Sequence, residues 1–133
     1  AYIIFPSNQI NKKMTINGSR GLNNKIKDRF DLTLECIRRH YVNEQNPLSD
    51  TLQRYNYFFN LFEDFHGYVN FFLLQDLVND DYSSIKFCIP FLGFDNSALP
   101  VNVQEYQLYK KNITALITAR NQRILNVING NLS

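Results

Sequence analysis

KIKDRFDLTLECIRRHY, residues 25–41, decides the fold class. Within it Ile26, Phe30, Leu34, Ile37 and Tyr41 recur every three or four residues. That period places side chains on one face of an α-helix, so the stretch reads as an amphipathic helix over about Lys25 to Tyr41. Arg38, Arg39 and His40 fall in its last turn, where cations suit the helix dipole. Working outward, Leu52, Tyr55, Phe58, Phe59 and Phe62 form a second stripe, over about Asp50 to Phe62, with Ser49 as a plausible N-cap. Tyr68 to Val78 is apolar nearly all round, the pattern of a central, buried helix. The longest helix runs over about Val103 to Ile128, roughly 39 Å. Asn102 and Glu105 open it as a capping-box-like pair, and Gly130 is its expected stop.

Three short segments read as strands: Tyr2 to Phe5, ended by Pro6; Lys13 to Ile16; and Ile85, Phe87 and Ile89 alternating with Lys86 and Cys88 before Pro90. The expected fold class is therefore α+β and helix-dominated. It has about four helices around an aromatic core, with a small sheet of two or three short strands.

The 133 residues make one domain's worth of chain. With 44% hydrophobic and 20% charged residues, the composition is globular rather than disordered. Eleven Phe and eight Tyr supply an unusual share of aromatic bulk. The opening Ala1-Tyr2-Ile3-Ile4-Phe5-Pro6 reads as a strand entered midway, compatible with the C-terminal part of a longer protein. A formal charge of +2 argues against a general nucleic-acid or membrane footprint. No apolar run approaches a membrane span. Cys36 and Cys88 match neither a zinc site nor a redox pair and read as reduced thiols of a cytoplasmic protein. No cofactor motif is present.

Helical periodicity forces three charges inward. Arg120 lies in the middle of the long helix's stripe, among Ile113, Leu116 and Ile124. A guanidinium there needs a carboxylate, backbone carbonyls, water or an anion. Arg29 falls between the main stripe of its helix and a minor one of Leu32 and Cys36. Asp76 sits between Tyr68 and Phe72 on the apolar helix, with Arg29 and Arg120 as its candidate partners. The remaining charges of the first helix, Lys27, Asp28, Asp31, Glu35, Arg38 and Arg39, read as a solvated face laced by i, i+4 pairs. Asp31 and Glu35 there are a weak signal for a divalent ion. Asn17 to Gly21 reads as a glycine-containing loop whose N–H groups, with Arg20, could hold phosphate or carboxylate. Cys36 and His40 form an i, i+4 pair without a third orienting group.

These residues give an expected ligand site of Arg20, Arg29, Asp76 and Arg120, taking an anionic small molecule or a nucleotide. The alternative is an interaction module whose buried ion pairs are architectural. Nucleic-acid binding, as a toxin or defence protein, is the weakest alternative given the balanced charge. No catalytic or metal-ligating residue is assigned.

The stretches from Thr15 to Gly21, Asp28 to Tyr41 and Asp64 to Val78, with Ala119-Arg120-Asn121, carry a resemblance across nearly the whole chain. Together they resemble an uncharacterised bacterial family, a domain of unknown function found as a stand-alone cytosolic protein. The resemblance implies an additional N-terminal portion, so that this chain corresponds to the family's C-terminal part. It implies no activity and carries over no catalytic residue.

Overall fold

A computed structural model describes residues 5–6, 8–10, 12–23, 25–26, 29–87, 91, 93–94 and 102–132. Its element order is α1 (Ile16–Leu22), α2 (Phe30–Tyr41), α3 (Ser49–Arg54), α4 (Asn56–Phe59), a 3-10 turn (Asn60–Phe62), α5 (Phe65–Phe71), a second 3-10 turn (Gln75–Leu77) and α6 (Val103–Leu132). The expected sheet is not there. Among the described residues there is no strand, only isolated antiparallel bridges between Ile10 and Lys13 and between Val78 and Ile85. Most of the proposed Tyr2 to Phe5 strand, and Cys88 to Pro90, lie outside the described residues. The second proposed strand fails because Ile16 already starts a helix.

That helix, α1, replaces the loop expected over Asn17 to Gly21. The Thr15 hydroxyl accepts from the Gly18 N–H (3.3 Å) and caps it. The fully buried Ile16 anchors it. α2 is the central element. All seven residues from Asp31 to Ile37 are buried, so the helix is enclosed on its charged side as well as on its apolar stripe. It begins at Phe30, later than the periodicity implied, with Arg29 as N-cap. Its last residue is Tyr41 and its C-cap Val42; Asn43, the residue after the cap, is left-handed with φ 62°. Glu44 N–H donates to Arg39 O (2.8 Å) and Asn43 N–H to His40 O (3.2 Å), the paired bonds of a Schellman ending.

The second stripe is present but broken into α3, α4 and a 3-10 turn. Ser49 is the first residue of α3 rather than its cap. Its hydroxyl instead accepts from the Asn46 N–H (2.9 Å). The turn into α5 is tight. Glu63 adopts φ 70°, ψ −55°, and Asp64 N–H donates to Phe62 O (2.8 Å) across it, a strained γ-turn. Asp64 then caps α5 through the Gly67 N–H (2.8 Å). A Cβ at Gly67 would fall 2.0 Å from Phe62 O, so only glycine fits this approach.

The apolar run Tyr68 to Val78 is not one central helix. α5 closes with the same two bonds that end α2: Leu74 N–H to Val69 O (2.9 Å) and Leu73 N–H to Asn70 O (3.4 Å), with Leu73 at φ 56°. Phe71 is 68% exposed as a result.

The aromatic core is built from α2, α4, α5 and the first 3-10 turn. Tyr55, Phe59 and Tyr68 are fully buried. Tyr41 meets Phe59 edge-on at 5.8 Å, and Phe62 meets Tyr68 edge-on at 5.5 Å, the geometry aromatic quadrupoles favour. α6 is capped as expected, with the Glu105 N–H donating to Asn102 Oδ1 (2.8 Å). It runs through Gly130 rather than stopping there, giving 30 residues or about 45 Å. It packs on the Gln75–Leu77 turn. No described helix is long and apolar enough to cross a membrane.

Candidate functional site

Three of the four expected site residues enter one region; Asp76 does not. Arg29 and Asp31 form a buried pair. The Arg29 Nε donates to Asp31 Oδ1 (3.0 Å) and its Nη2 to Asp31 Oδ2. Asp31 Oδ1 also accepts from the Leu32 N–H (2.9 Å), so this carboxylate is engaged from two sides. The Arg29 guanidinium stands 5.3 Å from the ring centroid of Tyr109 on α6, a cation–π contact across the helix pair. The expectation that Asp31 and Glu35 belong to a solvated face is overturned. Both are buried, Glu35 between Arg38 (2.5 Å) and Arg39 (3.4 Å). Each is paired with arginine. No group of three His, Cys, Asp or Glu residues is placed to hold an ion among the described residues. Lys27 and Asp28 lie outside them.

Arg20, on α1 rather than on a loop, reaches α2. Its Nε donates to Thr33 Oγ1 (3.0 Å), and that hydroxyl donates in turn to Arg29 O (2.8 Å). The two arginines are thereby linked through one threonine, which the sequence reading left unassigned.

Arg120 is buried, as its place in the stripe required, with 6% of its surface exposed. Its Nε (3.3 Å) and Nη2 (2.8 Å) both donate to Phe72 O, the backbone carbonyl at the end of α5. Burial lowers its pKa from the ordinary arginine value, and the nearby Tyr68 opposes that shift.

Asp76 pairs instead with Arg123: Nε to Oδ2 is 2.9 Å and Nη2 to Oδ1 is 3.1 Å. The expected partners, Arg29 and Arg120, do not take this role. Because α5 ends at Phe71, Asp76 sits on a separate 3-10 turn that faces the outer part of α6. The Arg123 hydrogen bond holds the Asp76 carboxyl below the usual carboxylate range. Arg123 lies three residues from Arg120, the one signal that could have nominated it.

Sequence reasoning also missed the Tyr68 hydroxyl. Tyr55 and Tyr68 belong to the core, and Tyr41 and Tyr82 pack against it. Tyr41 donates to Phe59 O (2.7 Å) and Tyr55 to Asn8 O (2.6 Å). The Tyr68 hydroxyl is buried and has no hydrogen-bond partner among the described residues. An unsatisfied buried hydroxyl costs about 1–3 kcal/mol. Burial drives its pKa well above the ordinary tyrosine value, Tyr41 adds to that, and the charges of Arg120 and Arg20 pull against it. Arg20 and Arg120 therefore both lie within electrostatic reach of one orphaned hydroxyl.

Beside Arg120 is a cavity of about 130 Å³, lined by Phe30, Asp31, Leu77, Ile113, Leu116, Ile117 and Arg120. Its walls are apolar apart from the ends contributed by Asp31 and Arg120. A cavity with few, localised polar groups is the ordinary form of a small-molecule site.

The Cys36–His40 pair makes no thiolate–imidazole dyad. His40 Nε2 is hydrogen-bonded to Asn56 Oδ1 (2.9 Å), and burial pushes the Cys36 thiol up to about 12.

The class defined by this geometry is an all-helical domain, among its described residues, with a small charged-ended cavity lined by the start of α2, Leu77 and the middle of α6. The chain belongs to a family of unknown function, DUF6994, whose model matches residues 1–124. No curated protein and no solved structure matches it.

Proposed function

We propose that this domain binds a small anionic molecule through Arg20 and Arg120, with the Tyr68 hydroxyl as a further donor and the Arg29–Asp31 pair as a fixed wall. The observation that carries this reading is the Tyr68 hydroxyl. It is buried without a partner among the described residues, with Arg20 and Arg120 near enough to act on it, while Tyr41 and Tyr55 are anchored. A buried donor left unmatched is a group that a bound anion would satisfy. Asp76 has no part in this site, being paired with Arg123.

The test is a thermal-shift panel of inorganic phosphate, a nucleotide and small carboxylates. A ligand selective for the native state raises Tm. Arg120→Met keeps the side-chain bulk, removes the charge, and is expected to abolish the shift. Stabilisation that survives this change would contradict the assignment.

A second reading, in which the buried charges are architectural, is favoured by one observation. The Arg29–Asp31 pair joins α2 to its own N-cap residue, the place of an architectural ion pair. A panel in which no anion moves Tm would support that reading instead.

A further inference from the structure

The cavity beside Arg120 restricts what the anion can be. Five of its seven lining residues, Phe30, Leu77, Ile113, Leu116 and Ile117, are apolar. Asp31 is already engaged by Arg29 and by the Leu32 N–H, so it stands in the wall as half of an ion pair. Arg120 brings the guanidinium whose bonds to Phe72 O hold it at the opposite helix. Sugar or nucleotide hydroxyls against those five side chains would lose water and gain no partner. The volume, about 130 Å³, is also below the roughly 300 Å³ at which drug-sized ligand pockets begin. It is close to that of a cavity of about 150 Å³ known to hold benzene.

We infer that the ligand is a monocarboxylate with a compact apolar body of about six to nine non-hydrogen atoms, seated between the start of α2 and the middle of α6 with its carboxylate on Arg120. This rests on the anion-binding reading above at Arg120, the one residue of that reading's donor set that lines the cavity, and narrows it: nucleotides and sugar phosphates do not match its volume or its lining. Ile117, 47% exposed, forms the rim through which such a molecule enters.

The experiment uses the 133-residue chain and three probes: benzoate, the neutral benzyl alcohol of similar shape, and inorganic phosphate. Benzoate at about ten times its Kd is expected to raise Tm by about 3–7 °C. Benzyl alcohol should bind at least tenfold more weakly, because it lacks the charge that Arg120 pairs. Ile117→Trp, at a half-exposed position that tolerates bulk, should block the rim and abolish the benzoate shift while leaving any phosphate shift in place. Ile113→Phe, on the cavity wall, serves the same purpose should the tryptophan variant not fold. If phosphate stabilises as strongly as benzoate and neither variant changes this, the anion site stands and the carboxylate inference falls. If benzyl alcohol matches benzoate, or if no probe moves Tm, both fall.

Discussion

Val69 on α5 is fully buried, and Val127 on α6 is 42% exposed. The same contrast holds for Tyr68, fully buried, and Tyr106, 57% exposed. The body from α1 to α5 folds short helices around interlocking rings, so each apolar side chain meets several others. α6 is longer than anything it packs on. Among its described residues only Arg120 is buried, and Leu116 alone joins the partly buried fringe of the core. Periodicity therefore identified both regions as helical but reported nothing about how much of each helix would be covered. Coverage depends on the neighbours, and among the described residues α6 has few.

The sharpest way to break this comparison is one substitution made in both regions. Leu52→Ala removes a fully buried side chain on α3 and is expected to cost about 2–5 kcal/mol, from lost burial and the cavity left behind. Leu125→Ala, at a position 51% exposed on α6, should stay within about 0.5 kcal/mol of wild type. Urea denaturation of the two variants checks both values. Comparable losses would mean that α6 is covered in solution and that the two regions do not differ as described.

What the sequence made legible follows from local rules. The α2 stripe, the second stripe over α3 and α4, and the Asn102 cap of α6 were all readable because spacing and capping chemistry act within a few residues. The left-handed ending of α2 falls on Asn43, a residue that tolerates that conformation. The matching ending of α5 falls on Leu73, where no glycine or proline advertises it. That hidden stop turned an expected central helix into two pieces and moved Asp76 away from Arg29 and Arg120. The buried Asp31 and Glu35 were misplaced because a charged face normally means solvent; here arginines on the same helix or its cap close over both carboxylates. Arg120 was legible because its burial followed from wheel position alone. Tyr68 was not, since a tyrosine on an apolar helix carries no sign of whether its hydroxyl finds a partner.

A smaller effect separates the deep charges from the shallow ones. The Asp76–Arg123 pair is partly solvated, with 25% and 40% of the side chains exposed. Asp76→Asn is therefore expected to cost only about 0.2–1 kcal/mol at neutral pH, and less at high salt. The sign with pH follows from the lowered Asp76 pKa. The pair's contribution is fully present above the ordinary carboxylate pKa and is lost as pH falls through the lowered folded-state value. Wild type and Asp76→Asn should thus converge in stability in acid. A gap that stays constant from neutral to acid pH would show that the ion pair is not its source.

Tyr68→Phe tests the functional account most directly, because stability and binding should move in different directions. Deleting a hydroxyl that has no partner is expected to leave the unliganded protein as stable as wild type, or up to about 1 kcal/mol more stable. The same change should weaken anion binding at least tenfold, read as loss of the ligand-induced rise in Tm. A clear loss of stability without ligand, or an undiminished rise with it, would contradict the assignment of this hydroxyl and of the arginine site around it.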